Sequence, residues 1–199
     1  MSAYQYNTPL SDISFAATDT ETTNTPHGLR LVELASVMVL PGFRVDFPNA
    51  FQTLINSGHP VDKFSLSVHG VTDQMLESAP DEAEAIAEFA KFMDGAIFAA
   101  HNLNFDLSLT ASAFQRNNIP SPLQYCLDTV KLSKLLYPCL PNHSLDTLIA
   151  AFSLTPMRSV RHRALFDADA AALLLVKILT DLSASGIKTL GDLFAFIQR

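Results

Sequence analysis

Four carboxylates in this chain stand where acids are out of place. In FAATDTETTN, residues 15–24, an apolar run gives way to Asp19 and Glu21, one position apart and followed by threonines. On a strand, side chains at i and i+2 share a face. Asp19 and Glu21 are therefore expected side by side, which is unfavourable unless something positive lies between them. The plainer reading is a strand end entering a turn, with Thr20, Thr22 and Asn24 as turn formers. Judged alone, the pair supports only that plainer reading.

Two further acids change the balance. Asp106 lies in HNLNFDLSL, early in an otherwise apolar helical pattern, and Asp167 lies in HRALFDADAAALLLV, at the start of the most apolar pattern in the chain. A carboxylate among core-facing residues should be paired, protonated or metal-bound. Either acid alone is also explained by the helix dipole, worth ~0.3–1 kcal/mol. Asp169 competes with Asp167, and spacing does not choose between them. Strand ends and helix starts at the carboxyl edge of a sheet are where α/β proteins collect ligands. Several carboxylate oxygens suit Mg2+ or Mn2+ and offer no soft site for zinc. Two such ions roughly 3.5–4 Å apart activate water and stabilise the leaving oxygen in phosphodiester cleavage.

The elements that must carry these residues follow from the apolar period. Residues 13–18, 31–40 and 51–55 read as strands, with short connections that predict an antiparallel start to the sheet. Helix and strand then alternate: a helix from Asp81, a buried strand over 96–101, a helix from Asn104 that stops before Pro120, and a short strand over 124–127. Asp128 reads as the N-cap of a helix ending near Leu136, and a short helix lies in HSLDTLIAAF. LFDADAAALLLVKILTDL predicts a long apolar helix, and TLGDLFAFIQR a final amphipathic one. Grouped strands followed by alternation predict an α/β domain with a mixed sheet. No repeat or linker divides it, so residues 1–199 are read as a single domain, with a core over about 13–182 and a C-terminal helix over about 189–198.

Composition sets the wider bounds. The chain has 199 residues, 48% of them hydrophobic, enough for a packed core. No run approaches the roughly 18 apolar residues of a membrane span, and the N-terminus lacks the pattern of a signal peptide. Cys126 and Cys139 make neither a disulfide framework nor a zinc pattern. A cytoplasmic protein with no membrane partner is expected. The net charge of −7 argues mildly against broad electrostatic binding of nucleic acid. However, Arg158, Arg161 and Arg163 fall together with His162 in PMRSVRHRALFDAD, which suits either a local phosphate contact or a solvated loop.

DTETT at Asp19, HNLNFD ending at Asp106, and HRALFD from His162 to Asp167 resemble, in order and spacing, the three motifs of the DEDDh 3′–5′ exonucleases. This family includes ribonuclease T and the proofreading subunit of DNA polymerase III. The resemblance covers roughly residues 15–182 and looks closest to exodeoxyribonuclease X. It implies a ribonuclease H-like fold with a mixed five-stranded sheet flanked by helices. It further implies Asp19, Glu21, Asp106 and Asp167 as ligands of two divalent ions, Mg2+ or Mn2+. His162 matches the general base, and a histidine near its reference pKa accepts a proton at neutral pH. Asn24 stands where the family commonly has glycine, and asparagine suits a left-handed turn there.

Thr20, Thr22, His69, His101 and Asn102 match positions near the substrate, although the histidines suit purely structural hydrogen bonds equally well. Arg161 or Arg163 is a candidate phosphate contact, and Leu31 or a neighbour is a candidate stacking surface for the terminal base. The activity implied is metal-dependent release of nucleotides from the 3′ end of a nucleic acid, DNA ahead of RNA, in repair, degradation or proofreading. The competing readings are an RNA-trimming exonuclease and a non-catalytic module binding nucleic acid or a polymerase. The intact acids argue against the module, and the short stretch after the last helix ranks a stand-alone nuclease above a polymerase subunit. A homodimer or a polymerase partner is left open.

Overall fold

The computed structural model describes residues 4–159 and 162–198. Strands β1 (Phe15–Thr25), β2 (Gly28–Leu40), β3 (Arg44–Leu54), β4 (Ile97–Ala100) and β5 (Cys126–Asp128) form one sheet in the order β3-β2-β1-β4-β5. The first three are antiparallel neighbours, while β4 runs parallel to β1 and β5 parallel to β4. This is the mixed five-stranded sheet that was expected.

β1 is longer than its apolar run suggested, because the β-branched threonines of DTETTNT continue the strand. Asn24 pairs with Leu29 inside this ladder, so the left-handed turn expected at Asn24 is not there. The positive φ falls instead on Gly28, at 95°. β3 also begins earlier than expected. Its Pro48 is tolerated because β3 is an edge strand with one side unpaired.

Helices α1 (Lys63–His69) and α2 (Asp73–Leu76) were not anticipated. Both are too short for an apolar period, and their signals are caps. Asp62 accepts from the Phe64 and Ser65 amides at the start of α1, and Thr72 accepts from the Met75 amide in α2. The remaining helices are α3 (Glu82–Met93), α4 (Leu103–Arg116), α5 (Thr129–Leu136), α6 (Leu145–Ala151), α7 (Ala164–Ala184) and α8 (Leu190–Ile197). Asp128 caps α5 through the Val130 and Lys131 amides, as its position predicted.

The two faces of the sheet are covered differently. On one, Phe15, Ala17, Ala35, Val37 and Val39 pack with α7, whose Ala168, Ala171 and Ala172 keep the helix close to the strands. On the other, Ala16, Leu34 and Phe98 meet α3 and α4 through Ile86, Phe89 and Phe114. Phe89 is fully buried, with ring centroids of Phe51, Phe98 and Phe114 at 5.5, 6.5 and 6.4 Å. Phe89→Ala is expected to destabilise the protein by ~3–5 kcal/mol in urea unfolding. A loss under ~1 kcal/mol would mean that this layer closes over the gap.

Candidate active site

Strand alternation sorts the residues of DTETT between the two faces. Phe15 and Ala17 face α7, so Asp19 and Glu21 continue that row, while Thr18 and Thr20 continue the row of Ala16. The parallel pairing of β1 with β4 ends at Thr18 opposite Ala100, which puts Asp19 just beyond the carboxyl edge of β4. Asp167 arrives at the same edge from the first turn of α7. One ligand oxygen each from Asp19, Glu21 and Asp167 lies within 4.8 Å of the others. The strand pair and the first acid of α7 thus converge, and Asp169 does not join them. Its buried carboxylate is paired with Arg158, Nη1 to Oδ1 at 2.5 Å, and accepts from the Arg158 amide.

Asp106 comes from α4, in the opposite layer. It is buried, and Thr20 Oγ1 donates to its Oδ1 at 2.7 Å. Thr20, expected near the substrate, therefore acts from beneath by orienting an acid. Asp106 stands beside the three converging carboxylates and is not one of them.

The electrostatics explain the tension that the spacing suggested. Burial, then the charges of Asp106, Asp167, Glu21 and Glu33, hold the Asp19 carboxyl well above the usual carboxylate range. Burial, then Glu33, Asp167 and Asp106, push Glu21 up to about 8, against a smaller lowering by Arg163. Burial pushes Asp106 up to about 7, against the Thr20 hydrogen bond. Converging oxygen donors whose charged forms are mutually destabilised fit a hard divalent cation.

His162 precedes α7 by two residues, is exposed and has a left-handed φ of 56°. Its neighbours behave differently from expectation. Arg163 is not a free phosphate contact: its Nε and Nη2 donate to Glu33 Oε2 and Oε1, both at 2.8 Å. Arg161 lies outside the described residues. Leu31 is fully buried in the core, so it offers no surface to a base.

The other predicted contacts hold the scaffold together. His69 Nδ1 accepts from the Val71 amide at 3.0 Å, which leaves Nε2–H to donate to the Thr22 carbonyl at 3.1 Å. Burial lowers its pKa, consistent with a neutral ring. His101 Nδ1 is 2.9 Å from Thr129 Oγ1, and burial lowers its pKa as well. Asn102 occupies the N-cap of α4 with φ 75° and no side-chain cap, a conformation that asparagine tolerates. Thr22 follows the register shift of the β1–β2 ladder, the irregularity beside Glu21.

Glu33 is the residue that sequence reasoning missed. It sits opposite Glu21 in the ladder, is fully buried, and binds Arg163. The only signal was a lone acid inside the apolar strand LVELASVMVL.

The mixed five-stranded sheet flanked by helices is the ribonuclease H-like fold that the chain shares with solved exonucleases. The RNase T exonuclease family matches residues 17–175, and the chain belongs to that family. It is 36% identical over 196 residues to a DNA polymerase III subunit epsilon-like protein of Rhodobacter capsulatus, covering 96% of this chain and 27% of that protein. It is 32% identical over 174 residues to the PolC-type DNA polymerase III of Halalkalibacterium halodurans, covering 87% of this chain and 12% of that protein. The chain thus spans a minor part of both relatives. Among solved structures, exonuclease X in complex with 5′ overhanging duplex DNA matches with a TM-score of 0.64 and 27% identity, over 87% of this chain and 93% of that one. The resemblance read from the three motifs agrees with these matches. Among the described residues, no helix is long and apolar enough to cross a membrane.

Proposed function

We propose that the chain is one cytoplasmic exonuclease domain that hydrolyses phosphodiester bonds from the 3′ end of DNA and releases 5′-mononucleotides. The observation that carries this reading is the convergence of Asp19, Glu21 and Asp167 within 4.8 Å at the sheet edge, with His162 five residues before Asp167. Asp19, Glu21 and Asp167 would hold the divalent ions, with Asp106, oriented by Thr20, as a further ligand. Two such ions, Mg2+ or Mn2+, would supply Lewis acidity there, activating a water and offsetting charge on the leaving oxygen. His162 accepts a proton from the attacking water as its oxygen bonds to phosphorus. The bond from phosphorus to the 3′ oxygen breaks, and that oxygen leaves as the new 3′ hydroxyl after taking up a proton.

DNA is placed ahead of RNA because the relatives named above are a DNA polymerase III subunit epsilon-like protein, a PolC-type DNA polymerase III and an exonuclease bound to duplex DNA. Those polymerase relatives also support a polymerase partner and a proofreading role, beside repair or degradation. The test is digestion of a 5′-labelled DNA strand and its RNA equivalent with Mg2+, Mn2+ or EDTA. A metal-dependent ladder shortening from the 3′ end, faster on DNA, is expected. Faster loss of RNA would move the substrate class to RNA, and no cleavage with either ion would favour a binding module.

A further inference from the structure

We infer that Glu33 and Arg163 are positioning residues: an ion pair between a buried carboxylate and a partly exposed guanidinium that ties the residue after His162 to the second strand of the sheet. The inference rests on the reading of His162 as the base. Arg163 directly follows His162 and is the N-cap of α7, where its own side chain makes no capping bond. Its guanidinium instead reaches across to β2 and meets Glu33 through both oxygens at 2.8 Å. The fork-to-fork geometry fixes direction as well as distance.

Glu33 is itself held rigidly. Gln52 of β3 donates to Oε1 at 2.6 Å, and the Ala164 amide, at the start of α7, approaches Oε2 at 3.4 Å. One carboxylate thus stands opposite Glu21 in the ladder, grips the residue after His162, and meets the first amide of the helix that carries Asp167. It fixes the distance between the strand acids and the base.

Two other observations support this role. His162 has a left-handed φ of 56°, and a non-glycine residue keeps such a conformation only when its surroundings over-determine it. The far end of the segment is tied in the same manner. Arg158 pairs with the buried Asp169 of α7, and its Nη2 donates to the Phe47 carbonyl of β3 at 3.1 Å. Ion pairs to buried carboxylates therefore lie on both sides of His162 in the chain.

Glu33→Gln disturbs this arrangement with little change of volume. An amide places an NH2 where a guanidinium N–H or the Gln52 amide now donates. The expected result is a ~10–100-fold drop in kcat on a 5′-labelled DNA strand at saturating Mg2+, with little change in KM. In a His162→Ala background the same change should cost less than about threefold, because the group it positions is gone. The double variant Glu33→Leu/Arg163→Met removes both charges, so no unpaired charge is left buried. It should melt near the wild-type temperature, lose kcat as Glu33→Gln does, and decide the matter if Glu33→Gln fails to fold. Wild-type kcat in the double variant would overturn the inference, as would equal losses from Glu33→Gln in both His162 backgrounds. If wild-type protein cleaves while His162→Ala costs nothing, the reading of the base fails first, and this inference with it.

Discussion

Asp19→Asn is expected to reduce cleavage by roughly 10³-fold or more while raising the melting temperature of the protein in EDTA. The two effects have one cause. Asp19 is held above the usual carboxylate range by burial and by Asp106, Asp167, Glu21 and Glu33. Without a metal ion, its negative charge is a liability to the fold. Asparagine keeps the shape, removes that charge, and relieves repulsion on Glu21 and Asp106. It also removes an anionic oxygen donor from the three that converge, so the site holds a divalent ion poorly. Activity and melting temperature are both measured on the same preparation. Retained cleavage would place the chemistry elsewhere, and a lower melting temperature in EDTA would show that the carboxylate bonds to the scaffold.

The second large effect is the pH dependence of stability without metal. Glu21 moves from 4.5 to about 8 on folding, Asp106 from 3.8 to about 7, and Asp19 moves in the same direction. Each group holds its proton in the folded protein at a pH where the unfolded chain has released it. Their contribution is full below the unfolded values and is lost as pH rises through the folded values. In EDTA the melting temperature should therefore fall from about pH 5 to about pH 8–9. A roughly tenfold gain in proton affinity on folding corresponds to ~1.4 kcal/mol of that dependence. At the acid end the sign reverses. Glu82, bonded to Arg116 and Asn117, and Asp181, bonded to Lys177 and Tyr137, have lowered values that stabilise only while ionised.

Divalent metal should correct the alkaline decline, because it needs the carboxylates deprotonated. A metal at about 100 times its Kd stabilises by ~2.7 kcal/mol. The rise in melting temperature with Mg2+ or Mn2+ should be clearly larger at pH 8 than at pH 5.5. Equal gains at both values, or a flat profile in EDTA, would contradict the assignment of these acids as the metal site.

Much of the candidate site is legible along the chain because its signals are local. The i, i+2 spacing of Asp19 and Glu21 puts both on one face as soon as DTETT is extended. Asp106 and Asp167 stand out as acids opening apolar helices. The apolar period likewise reveals the main strands and long helices, since each must bury one face. Two short helices escape this reasoning because α1 and α2 are declared by their caps, Asp62 and Thr72, with too few turns to show a period.

The pairing of charges is a different matter. Arg158, Arg161 and Arg163 read as one basic segment with phosphate contact as an option, yet two of them bind buried carboxylates of the fold. Glu33 lies 130 residues from Arg163, inside a strand whose other residues are mostly apolar. Nothing near either residue names its partner. Periodicity and capping act within a few residues, so they can be read in order along the chain. A salt bridge in the interior depends on which strand and which helix start are brought together, and only the closed sheet with α7 laid across it decides that. The types and spacing of the acids suggest the chemistry, while tertiary packing selects the three that converge, the one that stands beside them, and the arginine that pairs with Glu33.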